Sequence, residues 1–289
     1  MKILVIGKDG QLGRSIQKQV LNEHQADKFI FVGRSSIDLS QTISINNFFR
    51  NKSFDLVINC AAYTEVDNAE KEFELANLIN YKAVELLAKI SKKNNTTLIH
   101  ISTDYVFDGR SEISYDEIHQ PNPINVYGKT KLLGEEIIKD LMPKNAIIIR
   151  TSWLYSDFGK NFVDSIIRNA KQQDKINVIN DQFGSPTYAG DLAKVLCKII
   201  NALSKGQIID KTELYHFSNE GNTSWYEFAC EIVKLAEIDC NVTPISSDQY
   251  KCLAKRPQNT GLSKVKISKE FDLEIRSWKS ALEECLKNL

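Results

Sequence analysis

The chain has 289 residues, which is long enough for one large domain or for a domain with a smaller lobe. Lys+Arg and Asp+Glu both number 37, and the resulting net charge of zero argues against a nucleic-acid partner. The sequence has no secretory signal and no apolar run of membrane-spanning length, so we expect a cytoplasmic protein without a membrane partner.

The cysteines and histidines show no metal-ligand spacing. None of the six cysteines forms a CxxC pair, and the four histidines are scattered along the chain. Reduced thiols are therefore expected rather than disulfides or zinc, and we predict no metal site.

The chain opens with a predicted buried strand, residues 2–6, that runs directly into a glycine-rich turn and a helix. The turn places Gly7, Gly10 and Gly13 in a GxxGxxG pattern before a helical pattern over residues 11–21. Glycine permits positive φ and close approach to a phosphate, and a helix start offers free N–H groups to it. Strand, turn and helix in this order predict a dinucleotide site.

The second predicted strand, residues 29–32, ends at Arg34. An acidic residue at this point would bind a ribose 2′-hydroxyl, whereas an arginine suits a 2′-phosphate. Arg34 therefore favours NADPH over NADH, with a solvated surface arginine as the alternative. Asp38 closes the loop and is expected to place a carboxylate near the adenine.

The next two predicted strands, residues 54–60 and 97–101, lead into small and hydroxylic residues. Ala61 and Ala62 follow the third strand, and Thr103 follows the fourth. Ligands of an open α/β sheet bind at these carboxyl ends, where a hydroxyl can bond a substrate carbonyl oxygen. A helix is predicted between these strands, from about residue 68 to residue 92.

Tyr127 and Lys131 lie four positions apart at the start of the next predicted helix. Residues at this spacing share one helix face. A free tyrosine has a pKa of about 10, and a nearby ammonium lowers it. Tyr127 is thus a candidate to give a proton to a carbonyl oxygen that gains charge. The same spacing also occurs at exposed helix starts, so the pair depends on the surrounding motifs.

With a fifth strand at residues 146–150, the alternation predicts an α/β protein with a Rossmann-like, doubly wound, mostly parallel sheet. Residues 1–150 form the predicted NAD(P)-binding domain. Residues 151–289 form mainly a smaller, discontinuous substrate-binding lobe, of which about 176–215 returns to the first domain. In that lobe Trp153 is either a core residue or a wall for a ring ligand, and Arg256 either clamps a diphosphate or lies on the surface. Ser224 and Glu227 predict a capping box at a helix start.

Seven sequence blocks together resemble one enzyme family. In order they are GKDGQLG, NCAAYTEVDNAE, STDYVFDG, NVYGKTKLLGEE, RTSWLY, INDQFGSPT and RPQNTGL. They resemble the dTDP-4-dehydrorhamnose reductases of the extended short-chain dehydrogenase/reductase superfamily, over essentially the whole chain. The resemblance implies reduction of dTDP-4-dehydro-L-rhamnose to dTDP-L-rhamnose, an activated sugar for cell-surface polysaccharide.

The resemblance also implies a role for each matching residue. Tyr127 would protonate the C4 oxygen, and Lys131 would lower the tyrosine pKa and hold the nicotinamide ribose. Thr103 would complete a catalytic triad with Tyr127 and Lys131. Thr103 and Asp104 would contact the sugar, and Trp153 would form one wall of the sugar site. The residues expected along the cofactor are Gly10, Gln11 and Leu12 at the pyrophosphate, Asp38 and Leu39 at the adenine, and Ala61, Ala62 and Tyr63 beside the remainder.

The sequence departs from the family pattern at two places. Arg34 replaces the acidic residue of members that use NADH, so NADPH is expected, with NADH possible. Arg14 and Gly190 stand where some bacterial members have magnesium-binding glutamates, so we expect a monomer or a homodimer without a bridging metal. Two other functions stay open. One is a different nucleotide-sugar reductase, epimerase or dehydratase, and the other is a non-catalytic regulatory subunit such as the accessory subunit of methionine adenosyltransferase.

Overall fold

Six parallel strands form the central sheet, which confirms the predicted fold class. The computed structural model describes residues 1–23 and 27–289. In spatial order the sheet strands are β2 (Lys28–Val32), β1 (Lys2–Ile6), β3 (Leu56–Asn59), β4 (Thr97–Thr103), β5 (Ala146–Thr151) and β10 (Glu213–His216). Every neighbouring pair runs parallel, so the carboxyl ends of the strands meet at one edge.

Helices cover both faces of this sheet because alternate strand residues point to opposite sides. Ile3 and Val5 of β1 belong to one buried cluster, whereas Leu4 and Ile6 belong to another. The first cluster packs under α1 and α8, and the second under α2, α5 and α6. The helices are α1 (Gln11–Glu23), α2 (Thr42–Phe49), α3 (Val66–Ala69), α4 (Phe73–Asn77), α5 (Ala83–Lys93), α6 (Val126–Leu141), α7 (Phe162–Gln172), α8 (Ala189–Ser204), α9 (Trp225–Leu235), α10 (Val265–Phe271) and α11 (Trp278–Lys287).

The helical region predicted from about residue 68 to residue 92 is present, and it is divided into α3, α4, a π-helical turn (Leu78–Lys82) and α5. The π turn carries the buried Asn80. Its amide accepts from Tyr63 N and donates to Tyr63 O and to Thr130 Oγ1. Since Thr130 belongs to α6, this amide joins the segment after β3 to the helix that carries Tyr127.

A smaller lobe has its own core, built from α7, α9, α11 and a two-stranded parallel sheet. That sheet pairs β7 (Lys175–Ile179) with β12 (Asn241–Ile245). Within the segment predicted to return to the first domain, β7 therefore belongs to the small sheet, while α8 and β10 pack on the central one. Short strands join the lobes: β6 (Leu154–Tyr155) pairs with β9 (Thr187–Tyr188), and β8 (Phe183–Gly184) pairs with β11 (Thr223–Ser224).

The capping box at α9 is confirmed: the Ser224 hydroxyl accepts from Glu227 N, and the Glu227 carboxylate accepts from Ser224 N. The sequence analysis missed α2, β12 and α10, which are short elements without a strong periodic pattern. No helix within residues 1–23 and 27–289 combines the length and apolar character needed to cross a membrane.

Candidate active site

A cleft of about 740 Å³ opens at the carboxyl edge of the central sheet. It runs from the glycine turn to the start of α6 and reaches the smaller lobe at α9. The predicted site residues that line it are Gly7, Gly10, Gln11, Leu12, Gly13, Arg34, Asp38, Leu39, Ala61, Ala62, Thr103, Asp104, Tyr127, Lys131 and Trp153. The fold thus brings together residues that lie more than 140 positions apart in sequence.

The glycine turn leaves no room for a side chain at Gly7 or at Gly13. Gly7 has a φ of +98°, and a Cβ at this position would lie 2.9 Å from Ala61 N. A Cβ at Gly13 would lie 2.1 Å from Gly7 O, so the first turn of α1 packs directly on the turn after β1. The backbone N–H groups at the start of α1 consequently border the cleft, as a site for a pyrophosphate requires.

Tyr127 and Lys131 occupy different depths of the cleft. The start of α6 is capped by Asn125, whose Oδ1 accepts from Gly128 N at 2.8 Å. The Tyr127 side chain is half-buried and packs edge-on against Tyr105, with ring centroids 5.9 Å apart. Lys131 is buried, and its Nζ donates to Ile101 O at 2.6 Å.

Burial raises the pKa of Tyr127 to about 12, and a hydrogen bond with Thr103 only partly opposes this shift. The expectation that Lys131 lowers the tyrosine pKa is therefore not met in this state. The lysine itself has its pKa lowered to about 8 by burial. Removing each group from water disfavours its charged form, and this is the largest cause of both shifts.

Asp104 is a buried carboxyl group facing the same cleft. Burial raises its pKa to about 7. Thr103 Oγ1 donates to Oδ1 at 3.1 Å. Among the described residues Oδ2 has no well-aligned hydrogen bond, although the Thr260 hydroxyl is close enough to lower the pKa slightly. Oδ2 is thus available to a polar ligand group.

Trp153 lines the cleft with its backbone in the left-handed region, at a φ of +47°. Its ring stacks on Trp225 with the ring centroids 3.4 Å apart and the planes 6° apart. The ring therefore packs on a neighbouring side chain and also faces the cleft, so its position is compatible with a core residue and with a wall for a ring ligand. Trp225 also lines the cleft and was missed, since nothing near it in sequence links the start of α9 to Trp153.

Arg256 is not among the residues that line the cleft, and its role as a diphosphate clamp stays a prediction. Its guanidinium forms a paired contact with Asp67, at 3.1 Å from Nη1 to Oδ1 and 2.6 Å from Nη2 to Oδ2. Asp67 also accepts from the backbone N–H groups of Leu253 and Ala254. These four bonds hold the pKa of Asp67 at about 2, with the Arg256 hydrogen bond as the largest cause.

Tyr63 is likewise outside the cleft lining, although Ala62 and Thr64 on either side belong to it. Its hydroxyl donates to Glu72 Oε2 at 2.7 Å, which turns the ring away from the cofactor side. Arg34, in contrast, is on the lining and 77% exposed, and within residues 1–23 and 27–289 its one ion pair is a long contact of 3.4 Å from Nε to Asp38 Oδ2. It is therefore free to turn toward a ligand.

Across the described part of the chain, no group of three or more His, Cys, Asp or Glu side chains is arranged to hold a metal ion. At the two positions considered for a metal bridge, Arg14 lies over the Phe158 ring and Gly190 lies against the Tyr188 ring. A state without a bridging metal stays a prediction.

Comparisons with known proteins agree with this geometry. A family model described as the RmlD substrate binding domain matches residues 1–289. The chain is 37% identical over 287 residues to a dTDP-4-dehydrorhamnose reductase from Aggregatibacter actinomycetemcomitans, covering 97% of each chain. Two crystal structures of proteins with the same name are also similar. One is from Clostridium acetobutylicum (38% identity, TM-score 0.91, 99% of each chain), and the other, in complex with NADP, is from Bacillus anthracis (35% identity, TM-score 0.92, 100% of this chain and 99% of that one).

Proposed function

Because this chain belongs to the RmlD family of dTDP-4-dehydrorhamnose reductases, we propose that it reduces dTDP-4-dehydro-L-rhamnose to dTDP-L-rhamnose. The reductant is NADPH, and the product serves cell-surface polysaccharide. The observation that carries the proposal is that Thr103, Tyr127 and Lys131 together line a cleft that begins at the glycine turn.

The residues around the glycine turn fit a dinucleotide. The turn excludes side chains, α1 directs free N–H groups to it, and Ala61 and Ala62 leave the edge of β3 open. Arg34 supplies an exposed cation for a 2′-phosphate. Lys131 also lines the cleft, where its amino group can hold a ribose hydroxyl. When bound, NADPH supplies the hydride that reduces C4.

Tyr127 supplies the proton for the C4 oxygen. Its raised pKa keeps the phenol protonated across the neutral range, so the acid is ready before the substrate arrives. As the oxygen gains negative charge, the phenol donates its proton to it, and the Thr103 hydroxyl, which now donates to Asp104, can turn to stabilise the tyrosinate that is left. A carboxyl with a pKa of about 7 is partly protonated at neutral pH, so Asp104 can either donate to or accept from a sugar hydroxyl.

The direct test mixes the purified protein with NADPH and dTDP-4-dehydro-L-rhamnose and follows the loss of NADPH absorbance. Other dTDP-4-ketosugars and a UDP-linked ketosugar define the nucleotide and sugar preference. Net oxidation with the rhamnose precursor alone supports the proposal. Oxidation with a different ketosugar would assign another reductase, and no oxidation with any of them would favour a regulatory subunit.

Replacing Arg34 by alanine is expected to weaken NADPH binding more than NADH binding. Losing one charge-assisted contact to a phosphate costs about 1.5–3 kcal/mol, or roughly 10-fold to 150-fold in affinity. The Kd values of both cofactors can be compared by fluorescence titration. Arg50→Ala on the same domain, outside the cleft lining, serves as the control for a lost surface charge. Equal NADPH affinity in wild type and Arg34→Ala would show that this arginine does not read the phosphate.

Replacing Gly184 by alanine is expected to raise the KM for the sugar nucleotide about 10-fold, because one extra methyl is forced against Trp153. A Cβ at this position would lie 2.7 Å from Trp153 Cε2, so the ring has to move. Steady-state kinetics at saturating NADPH measure the effect. Gly261→Ala provides the control, because its backbone is outside the left-handed region and a Cβ there would approach no neighbouring atom more closely than 3.5 Å. An unchanged KM in Gly184→Ala would mean that the Trp153 ring does not contact the sugar.

A further inference from the structure

Behind Lys131 lies a buried row of polar side chains that the reduction described above does not use. Lys131 Nζ is 3.3 Å from His100 Nε2, and His100 Nδ1 is 3.2 Å from Asn59 Nδ2. All three residues are at most 1% exposed. Each of their polar atoms therefore has to find its partner within the protein.

The orientation of the Asn59 amide is fixed by the backbone. Ala61 N–H donates to Asn59 Oδ1 at 3.2 Å. A backbone N–H has no acceptor capacity, so the amide oxygen has to face Ala61 and the NH₂ group has to face His100. Turning the amide over would set its NH₂ group against the Ala61 N–H, which leaves buried donors unpaired at that end.

This orientation determines which imidazole nitrogen carries the proton. The Asn59 NH₂ group donates, so His100 Nδ1 must accept and the ring proton must be on Nε2. That N–H points at Lys131 Nζ. An ammonium has no lone pair and cannot accept, whereas a neutral amine accepts one hydrogen bond and still donates to Ile101 O.

We propose that His100 and Asn59 are positioning residues that stabilise the neutral amine form of Lys131 in the ligand-free protein. The other ionisable groups facing Lys131 are Cys60 and Glu135. Burial raises the pKa of the Cys60 thiol to about 12, and the Glu135 carboxylate is already occupied by Arg150. Neither supplies a free anion that would keep the lysine charged.

The proposal links the charge of Lys131 to the amide of Asn59. When Lys131 takes up a proton it loses its lone pair, so the His100 Nε2–H loses its acceptor. The imidazole proton then has to move to Nδ1, and the Asn59 amide has to turn away from Ala61. This consequence for catalysis rests on the proposed function, because it matters only if Lys131 holds the ribose, whereas the protonation state itself does not.

Long-range ¹H–¹⁵N correlation spectra of the ligand-free, ¹⁵N-labelled protein at pH 10, where Lys131 with its pKa of about 8 is a neutral amine, test the tautomer directly. His216 is an internal reference of the opposite type. Its Nδ1 faces the Tyr115 carbonyl, which only accepts, and its Nε2 faces Arg150, which only donates. Burial lowers the pKa of both rings, so both are neutral at this pH. We expect an Nε2–H pattern for His100, assigned by its loss in His100→Gln, beside an Nδ1–H pattern for His216. An Nδ1–H or doubly protonated His100 would overturn the proposal.

Asn59→Asp provides the second test. A carboxylate accepts from both Ala61 N–H and His100 Nδ1–H, so the ring proton is expected to move to Nδ1 and Lys131 to become an ammonium. The limb of the pH–rate profile on which activity falls as Lys131 loses its proton should then shift upward by about one to three pH units. If the limb shifts while the His100 proton stays on Nε2, the added carboxylate acts on Lys131 through its charge alone. That result would contradict the proposed coupling between the His100 tautomer and the charge of Lys131. If no substrate is reduced at all, the proposed function fails, while the spectra still decide the state of His100.

Discussion

Tyr127→Phe is expected to slow the reduction by at least about 100-fold, the usual scale for a lost general acid. The change removes one oxygen and keeps the ring that packs edge-on against Tyr105. Fold and cofactor affinity should therefore be unaffected, and the loss should appear in kcat rather than in the KM for NADPH. Stopped-flow loss of NADPH absorbance at saturating substrate measures this rate.

The control for this variant is Tyr226→Phe, which removes a phenol on α9 outside the cleft lining. It should retain full activity. Because burial raises the pKa of Tyr127 to about 12, the wild-type rate should not fall through loss of the tyrosine proton below about pH 10. Unchanged turnover in Tyr127→Phe would show that this residue is not the general acid. It would also favour the hypothesis of a regulatory subunit.

Arg150→Met is expected to lower the free energy of unfolding by about 3–5 kcal/mol. Arg150 and Glu135 are both at most 1% exposed and form a paired contact, at 2.6 Å from Nη2 to Oε2 and 2.9 Å from Nε to Oε1. Ser102 Oγ also donates to Glu135 Oε1. Methionine fills much of the arginine volume, so the cost comes from a carboxylate that is left buried without its cation. Urea titration followed by circular dichroism gives the value.

The double variant Arg150→Met with Glu135→Leu separates charge from packing. Because it removes both charges, it should recover most of the stability lost in the single variant. If Arg150→Met alone is as stable as wild type, Glu135 must become protonated at little cost. Since Glu135 also holds Ser102, next to Thr103, both variants should be assayed for activity after their stability is known.

Local patterns predicted the parts of the molecule that form locally. The β1 strand, the glycine turn and α1 are adjacent in sequence, and Tyr127 and Lys131 lie on one helix, so their positions follow from spacing alone. The roles assigned to them stay predictions. The stack of Trp153 on Trp225 and the pairing of Arg256 with Asp67 join residues 72 and 189 positions apart, and no local signal indicates such partners. The predicted direction of the Tyr127 pKa shift was wrong for the same reason, because the burial of its phenol depends on residues from the whole cleft.

The strained backbone of Trp153 limits how the sugar preference of this enzyme can be redesigned. A non-glycine residue in the left-handed region costs of order 1–3 kcal/mol, and it persists only where its neighbours hold it in place. Here those neighbours are the ring of Trp225 and the bare backbone of Gly184. Substitution of Trp153 alone should therefore mostly yield variants in which the loop has collapsed into the cleft or the cleft has lost this wall. If Trp153 contacts the sugar as proposed, a change of sugar preference should need Trp153, Trp225 and Gly184 to be exchanged together, because they pack on one another.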